Sequence, residues 1–323
     1  MKSMRKSFTD FAAIIPIICV AILAAKPDVY VKSSFEGIKL WAVSVLPSLL
    51  PFFFLTAIMS KIGLIAAFSK KAEKLTGKIF RCGGISSYAF IMSILSGYPV
   101  GAKIISDLSK NGEITQSEAT RMSTFCSTSG PLFIIGSVGV GMFGDKRVGY
   151  TIIAAHILSA VICGLIFRFY GKKNETSFLD LNYEKSENLL YDCVYSSVVS
   201  VALIGGFICI FYVLSDIVIN LKLTLPIEKL LYLICGDENS AKGFTIGLIE
   251  CTRGCKILSA GGVNRLSVAF GAASVSFGGV SVIFQSLMFL KSAKVNIGIF
   301  ILSKIIQTVV AFLLALTFFK VVF

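Results

Sequence analysis

Long apolar runs dominate this chain, without the alternation that marks a half-buried strand. Runs over about 11–25, 39–60, 116–143, 148–168, 193–215, 266–290 and 296–320 approach or exceed the roughly 20 residues that carry a helix across a bilayer. Two more apolar segments, 84–108 and 243–262, are interrupted midway. In the first, the interruption is SGYPVGAK, Ser96 to Lys103. Pro99 removes a backbone donor and disfavours a helical Tyr98, while Gly97 and Gly101 permit a tight turn, so two half-helices meeting at a tip are expected. The second interruption is CTRGCK, Cys251 to Lys256. This pattern predicts an all-α polytopic membrane protein of about seven transmembrane helices plus two re-entrant hairpins.

The second half of the chain echoes the first. Val43-Ser44-Val45 is matched by Val199-Ser200-Val201, GAKIIS (Gly101 to Ser106) by GCKILS (Gly254 to Ser259), and STSGP (Ser127 to Pro131) by SFGGV (Ser276 to Val280). Gly149 follows Gly130 by 19 residues, and Gly298 follows Gly279 by 19. Landmarks kept in order indicate a duplicated unit. If each broken segment enters and leaves on one side, each half makes an odd number of crossings, which inverts the second copy. Complete crossings would instead make the copies parallel. The expected division is an N-terminal transmembrane helix or signal anchor at 1–38, a first repeat at 39–171, a cytoplasmic linker at 172–192 and a second, inverted repeat at 193–323.

Composition agrees with the pattern: 55% of the 323 residues are hydrophobic and only 15% charged, against about 25% charged in soluble domains. The net charge of +13 reads as basic cytoplasmic loops under the positive-inside rule and does not call for a nucleic-acid partner. With Lys2, Arg5 and Lys6 inside, loop 61–83 is inside again and carries Lys61, Lys70, Lys71, Lys74, Lys78 and Arg81 against Glu73 alone. Loop 216–242, expected outside, has lost the basic excess. The basic start followed by Phe11–Ala25 could be a cleaved signal peptide, but it lacks a clean A-x-A site and reads as a first transmembrane helix or signal anchor. Nine cysteines show no C-x-x-C spacing and read as small buried hydrophobes.

The breaks are where chemistry is expected, because interrupted backbone in lipid must line a protein-enclosed or watery cavity. At TSGP, Pro131 suits the first turn of a new helix, with Thr128 or Ser129 as N-cap and Ser127 and Gly130 beside them. The stretch Ser276, Gly278, Gly279 is its counterpart. Helix N-termini of this kind favour an anion. Lys103 and Lys256 lie just past the two tips, Arg253 flanks the second and Arg121 precedes the first break. Intramembrane cations cost at least about 2.5 kcal/mol each on insertion scales, so either a substrate offsets that or the side chains snorkel to the headgroups. Glu250 and Asp107 either neutralise these cations or take part in proton coupling; His156, the single histidine, is a buried structural residue or a coupling group. No zinc, P-loop or nucleophile-elbow motif is present, so no enzyme, metal site or cofactor is expected. A coupling cation, proton or sodium, stays open. The residues reach as far as a secondary transporter of a small organic anion in a lipid bilayer, with homo-oligomerisation undecided.

The run LPSLLPFF (Leu46 to Phe53), then SGYPVGAK, EATRMSTFCSTSGPLFIIGSVGVGMFG (Glu118 to Gly144), His156 and FRFYG (Phe167 to Gly171) resembles the sporulation integral membrane protein family called YlbJ. That family falls in the nucleoside-recognition Gate group, whose helical cores resemble concentrative nucleoside transporters. The resemblance spans about residues 40–320 and departs at Ser127, where asparagine is usual. It implies a spore-forming bacterium and movement of dipicolinate, a small aromatic dianion, from the mother cell across the outer forespore membrane. Other readings it leaves open are a carrier of nucleosides or other small solutes and a non-transporting scaffold or sensor for spore assembly.

Overall fold

The computed structural model describes residues 16–171 and 188–323. Lys2, Arg5 and Lys6, the start of the first apolar run, and most of the 172–192 linker lie outside the described residues. Helices make up the described fold, and no strand occurs among the described residues. They are α1 (Pro16–Ala25), α2 (Pro27–Leu40), a π-helical turn π1 (Trp41–Val45), α3 (Leu46–Lys61), α4 (Leu64–Phe80), α5 (Ser86–Ser96), α6 (Val100–Lys110) and α7 (Gln116–Ser123). The wide-turned π2 (Phe133–Met142) and α8 (Lys146–Phe167) complete the first half. The second half comprises α9 (Leu189–Asn220), α10 (Leu225–Cys235), α11 (Glu238–Gly247), α12 (Cys251–Ala260), α13 (Arg265–Phe277), α14 (Gly279–Leu290) and α15 (Ile297–Val322).

Five described helices are long and apolar enough to cross a membrane: Pro27–Met59, Lys146–Phe167, Leu189–Asn220, Arg265–Leu290 and Ile297–Val322. The expected run at 39–60 therefore begins near Pro27. Proline sits at the first helical turn there, and Lys32, Glu36 and Lys39 hide the helix from a hydropathy reading. The run 116–143 divides into the eight-residue α7 and the ten-residue π2, each too short at about 1.5 Å per residue to span roughly 30 Å of hydrocarbon. The loops expected at 61–83 and 216–242 hold the amphipathic helices α4 and α10; Lys70, Lys71, Lys74 and Lys78 line α4. Such helices suit the bilayer interface.

Both interrupted segments are hairpins, but the second turns at Leu248–Glu250, and CTRGCK, expected to be the interruption, forms the first turns of α12, capped by Glu250. In the second, Gly243 of α11 abuts Leu258 of α12 and Gly247 abuts Gly254, so the two helices run antiparallel at close range. In the first, Gly101 of α6 abuts Ser93 of α5. The order of elements is the same in both halves: a long helix, an amphipathic helix, a hairpin, a broken helix pair and a long helix.

The buried core interlocks the halves. Phe80, Ala89, Ile105 and Met122 from α4 to α7, with Phe125 just beyond α7, pack with Ile283 and Leu290 of α14. Cys255, Leu258, Val268 and Ala272 from α12 and α13 pack with Phe133, Ile134 and Val138 of π2. Each hairpin thus packs on an element supplied by the other half, and the chain crosses between the two cores at its breaks, near Ser127–Gly130 and Gly278. The long helices brace this centre. Trp41 lies over Gly205 of α9 and donates its indole N–H to the Val201 carbonyl at 3.1 Å.

Candidate functional site

Each hairpin tip is pressed against the break of its own half. At Gly97 the backbone turns through φ 70°, and a Cβ there would stand 2.6 Å from the Gly130 nitrogen. At Gly279 φ is 76°, and a Cβ would meet the Gly247 and Ile249 carbonyl oxygens at 3.0 Å. Only glycine tolerates both the left-handed backbone and this approach. The first turn of α14 is satisfied by the second tip: the Val280 and Ser281 N–H groups donate to the Leu248 and Ile249 carbonyls at 2.8 and 3.1 Å. These N–H groups, expected to face an anion, are occupied in this conformation. At the first break the chain has no regular secondary structure through Ser127–Gly130 and becomes helical at Pro131. Neither expected N-cap side chain caps it. Thr128 Oγ1 donates to Ser93 Oγ at 3.3 Å, and the Ser129 N–H donates to His156 Nε2 at 2.9 Å.

Two residues on the flanking long helices join the breaks. His156 of α8 is fully buried; with Nε2 accepting from Ser129, its Nδ1 carries the hydrogen and donates to Ser276 Oγ at 2.8 Å. Lys304 of α15 is 1% exposed. Its Nζ donates to the Ser127 carbonyl (2.6 Å), Tyr98 Oη (2.7 Å), Gln307 Oε1 (3.0 Å) and the Ser276 carbonyl (3.2 Å). It also lies 4.7 Å from the centre of the Tyr98 ring, within cation–π range. One ammonium therefore ties the first tip to both breaks.

Tyr98 also lines a cavity of about 60 Å³ bounded by both tips and both broken helices. Gly97, Tyr98, Ser129 and Gly130 come from the first half, and Glu250, Cys251, Thr252 and Gln285 from the second. Glu250, 1% exposed, caps α12 by accepting from the Thr252 and Arg253 N–H groups at 3.1 and 2.6 Å. A second cavity, about 250 Å³ and more open, is lined by Lys61, Lys103, Thr56, Ser196, Ser197 and Ser200. Phe53 and Ser96 line both, so they form the wall between a basic, serine-rich vestibule and an inner chamber.

Of the residues expected at the site, Gly97, Tyr98, Ser127, Ser129, Gly130, Ser276, Gly279, His156 and Glu250 converge here. Gly278 caps α14 within 4 Å of Tyr98, Pro99 caps α6, and Gly101 lets α6 approach the Cys126 carbonyl. Lys103 and Lys256 are not brought together: Lys103 is exposed in the vestibule, and Lys256 is exposed on α12 and lines neither cavity. Arg253 is held by α9, paired with Asp216 at 2.6 Å, with the Tyr212 carbonyl at 2.9 Å and with Ser215 Oγ. Arg121 is buried against the Tyr170 carbonyl at 2.7 Å, and Asp107 is exposed on α6. Sequence reasoning missed Lys304 and Gln307. A lone lysine in the middle of ILSKIIQ, within the last apolar run, was the available signal.

Phe53→Ala is expected to join the two cavities. Cys251, 6% exposed on the inner chamber, should then react several-fold faster with a water-soluble maleimide in a background lacking the other cysteines. An unchanged rate would show that Phe53 is not the wall.

Interrupted helices, a centrally buried cation and a two-chambered cavity within long apolar helices define a polytopic integral membrane protein. The family model for the Gate domain, described as nucleoside recognition, matches residues 42–146, from π1 to the start of α8. Over 326 residues the chain is 29% identical to the sporulation integral membrane protein YlbJ of Bacillus subtilis (strain 168), covering 93% of this chain and 80% of that protein. The resemblance expected from LPSLLPFF and SGYPVGAK is the one these comparisons find. No solved structure matches.

Proposed function

We propose that this protein is a secondary transporter of a small organic anion, and that the anion is dipicolinate, moved across the outer forespore membrane during sporulation. The observation that carries this reading is the convergence of both tips, both breaks and the Lys304 ammonium beside one cavity. Helix interruptions meeting midway between two halves of like element order are the usual seat of a carrier's substrate. In this reading the halves are an inverted repeat, the hairpins are re-entrant, and the vestibule at Lys61 opens to the cytoplasm. Lys103 and the α9 serines collect the anion there, and it passes Phe53 to reach the inner chamber. At about 60 Å³ that chamber has room for a few waters and none for an aromatic dicarboxylate. The structure is therefore a closed form in this reading, and the tips must part for transport.

Uptake of labelled dipicolinate into proteoliposomes tests the proposal. Saturable uptake, reduced by Lys103→Ala, is expected. The Gate match favours a second reading, a nucleoside carrier; competition of uptake by unlabelled nucleosides, and not by dipicolinate, would establish that one instead. A scaffold without transport would show no uptake and no ligand-dependent rise in melting temperature.

A further inference from the structure

We infer that the Lys304 side chain is a built-in cation occupying an oxygen-lined cation site, so that the protein needs no sodium at its centre. The site has four oxygens within 3.2 Å of Nζ: the Ser127 and Ser276 carbonyls, Gln307 Oε1 and Tyr98 Oη. No carboxylate is among these partners. The three N–H groups of an ammonium serve these four oxygens, so one N–H is shared between two of them. The Tyr98 hydroxyl passes its own hydrogen toward the Ser276 carbonyl at 3.4 Å.

The source of these oxygens matters. Ser276 lies in the last turn of α13, and Ser127 lies where the chain leaves the α7 region. The Ser276 carbonyl therefore sits at the C-terminal end of an interrupted helix, the negative pole of its dipole, and Ser127 lies in the non-helical chain that follows α7. Carbonyls at such ends are the groups that coordinate sodium in carriers built from broken helices. Gln307, three residues further along α15, adds its amide oxygen on the same helix face. Here the charge arrives on a four-carbon stem. It is tethered to the chain, it holds both breaks to the first tip, and it fills the place a mobile ion would take. The inference does not depend on which solute is carried.

Melting temperature of the purified full-length protein reads it, with sodium replaced by choline at equal ionic strength. The wild type is expected to be indifferent; a rise in sodium would overturn the inference. Lys304→Ala and Lys304→Gln empty the ring of its charge and leave the oxygens. Whichever is obtained folded should melt lower in choline and recover on the order of 5 °C in sodium or methylammonium. Folding only when sodium or methylammonium is supplied would count as the same result. Insensitivity to every cation tried, or failure to fold in all of them, would overturn it.

Discussion

Lys304→Met is expected to lower the melting temperature by more than any substitution in the vestibule and, in the transporter reading proposed above, to abolish uptake. Methionine keeps the length of the stem and removes the charge. The Ser127 carbonyl and the Gln307 amide oxygen would then be buried without the donor they share, and the Ser276 carbonyl would keep only the Tyr98 hydroxyl at 3.4 Å. Each orphaned acceptor costs about 1–3 kcal/mol. Relief from desolvating an ammonium offsets part of this, leaving a net loss of a few kcal/mol. Transport fails for a further reason: the same ammonium fixes the first tip, through Tyr98, against both breaks. Lys103→Met, at an exposed position, should leave the melting temperature nearly unchanged while weakening uptake. Thermal melts and uptake on the two variants check this, and equal destabilisation by both would contradict the assignment of Lys304 as the central tie.

Gly97→Val and Gly279→Val are expected to be strongly destabilising, because each combines a left-handed backbone with a close backbone neighbour. A left-handed backbone costs a residue bearing Cβ about 1–2 kcal/mol, and β-branching adds to it. At Gly97 the new Cβ also stands 2.6 Å from the Gly130 nitrogen, a backbone atom that cannot move without shifting Pro131 and the helix it opens. At Gly279 the obstruction is the Gly247 and Ile249 carbonyls and the Cys251 nitrogen, all within 3.1 Å. A loss of about 3 kcal/mol or more follows from strain and overlap together. Gly112 provides the control: its φ is 75° but nothing lies within 4 Å of the added Cβ. Gly112→Ala should therefore show the backbone contribution alone, about 1 kcal/mol. Comparable melts for Gly112→Ala and Gly97→Ala would show that the tip does not press on the break.

Much of the molecule was readable in the chain. Hydropathy located α8, α9, α13 with α14, and α15 to within a few residues, because lipid-facing helices must be apolar throughout. Proline and glycine located the first tip and both breaks, because missing donors and left-handed turns are properties of single residues, whereas the second tip, at Leu248–Glu250, holds neither. The placement of Lys103 was also available and was overlooked. Gly101, Ala102, Ile105 and Leu108 form the buried face of α6, which leaves Lys103, Asp107 and Lys110 on the opposite face. The same period on α12 buries Cys251, Cys255 and Leu258 and turns Lys256 outward.

By itself, then, the sequence determined that this is a helical membrane protein, where its helices run and where they break, since these follow from chemistry acting within a few residues. It could not determine what the breaks meet. Lys304 is 177 residues from Ser127 and 206 from Tyr98, and His156 is 120 from Ser276. Contacts at such separations depend on how the hairpins dock and on how π2 and α14 cross into the opposite core. That is set by the packing of many side chains at once, and no local pattern encodes it. The folded chain brings the two tips to one cavity and closes the centre around the lysine of its last helix.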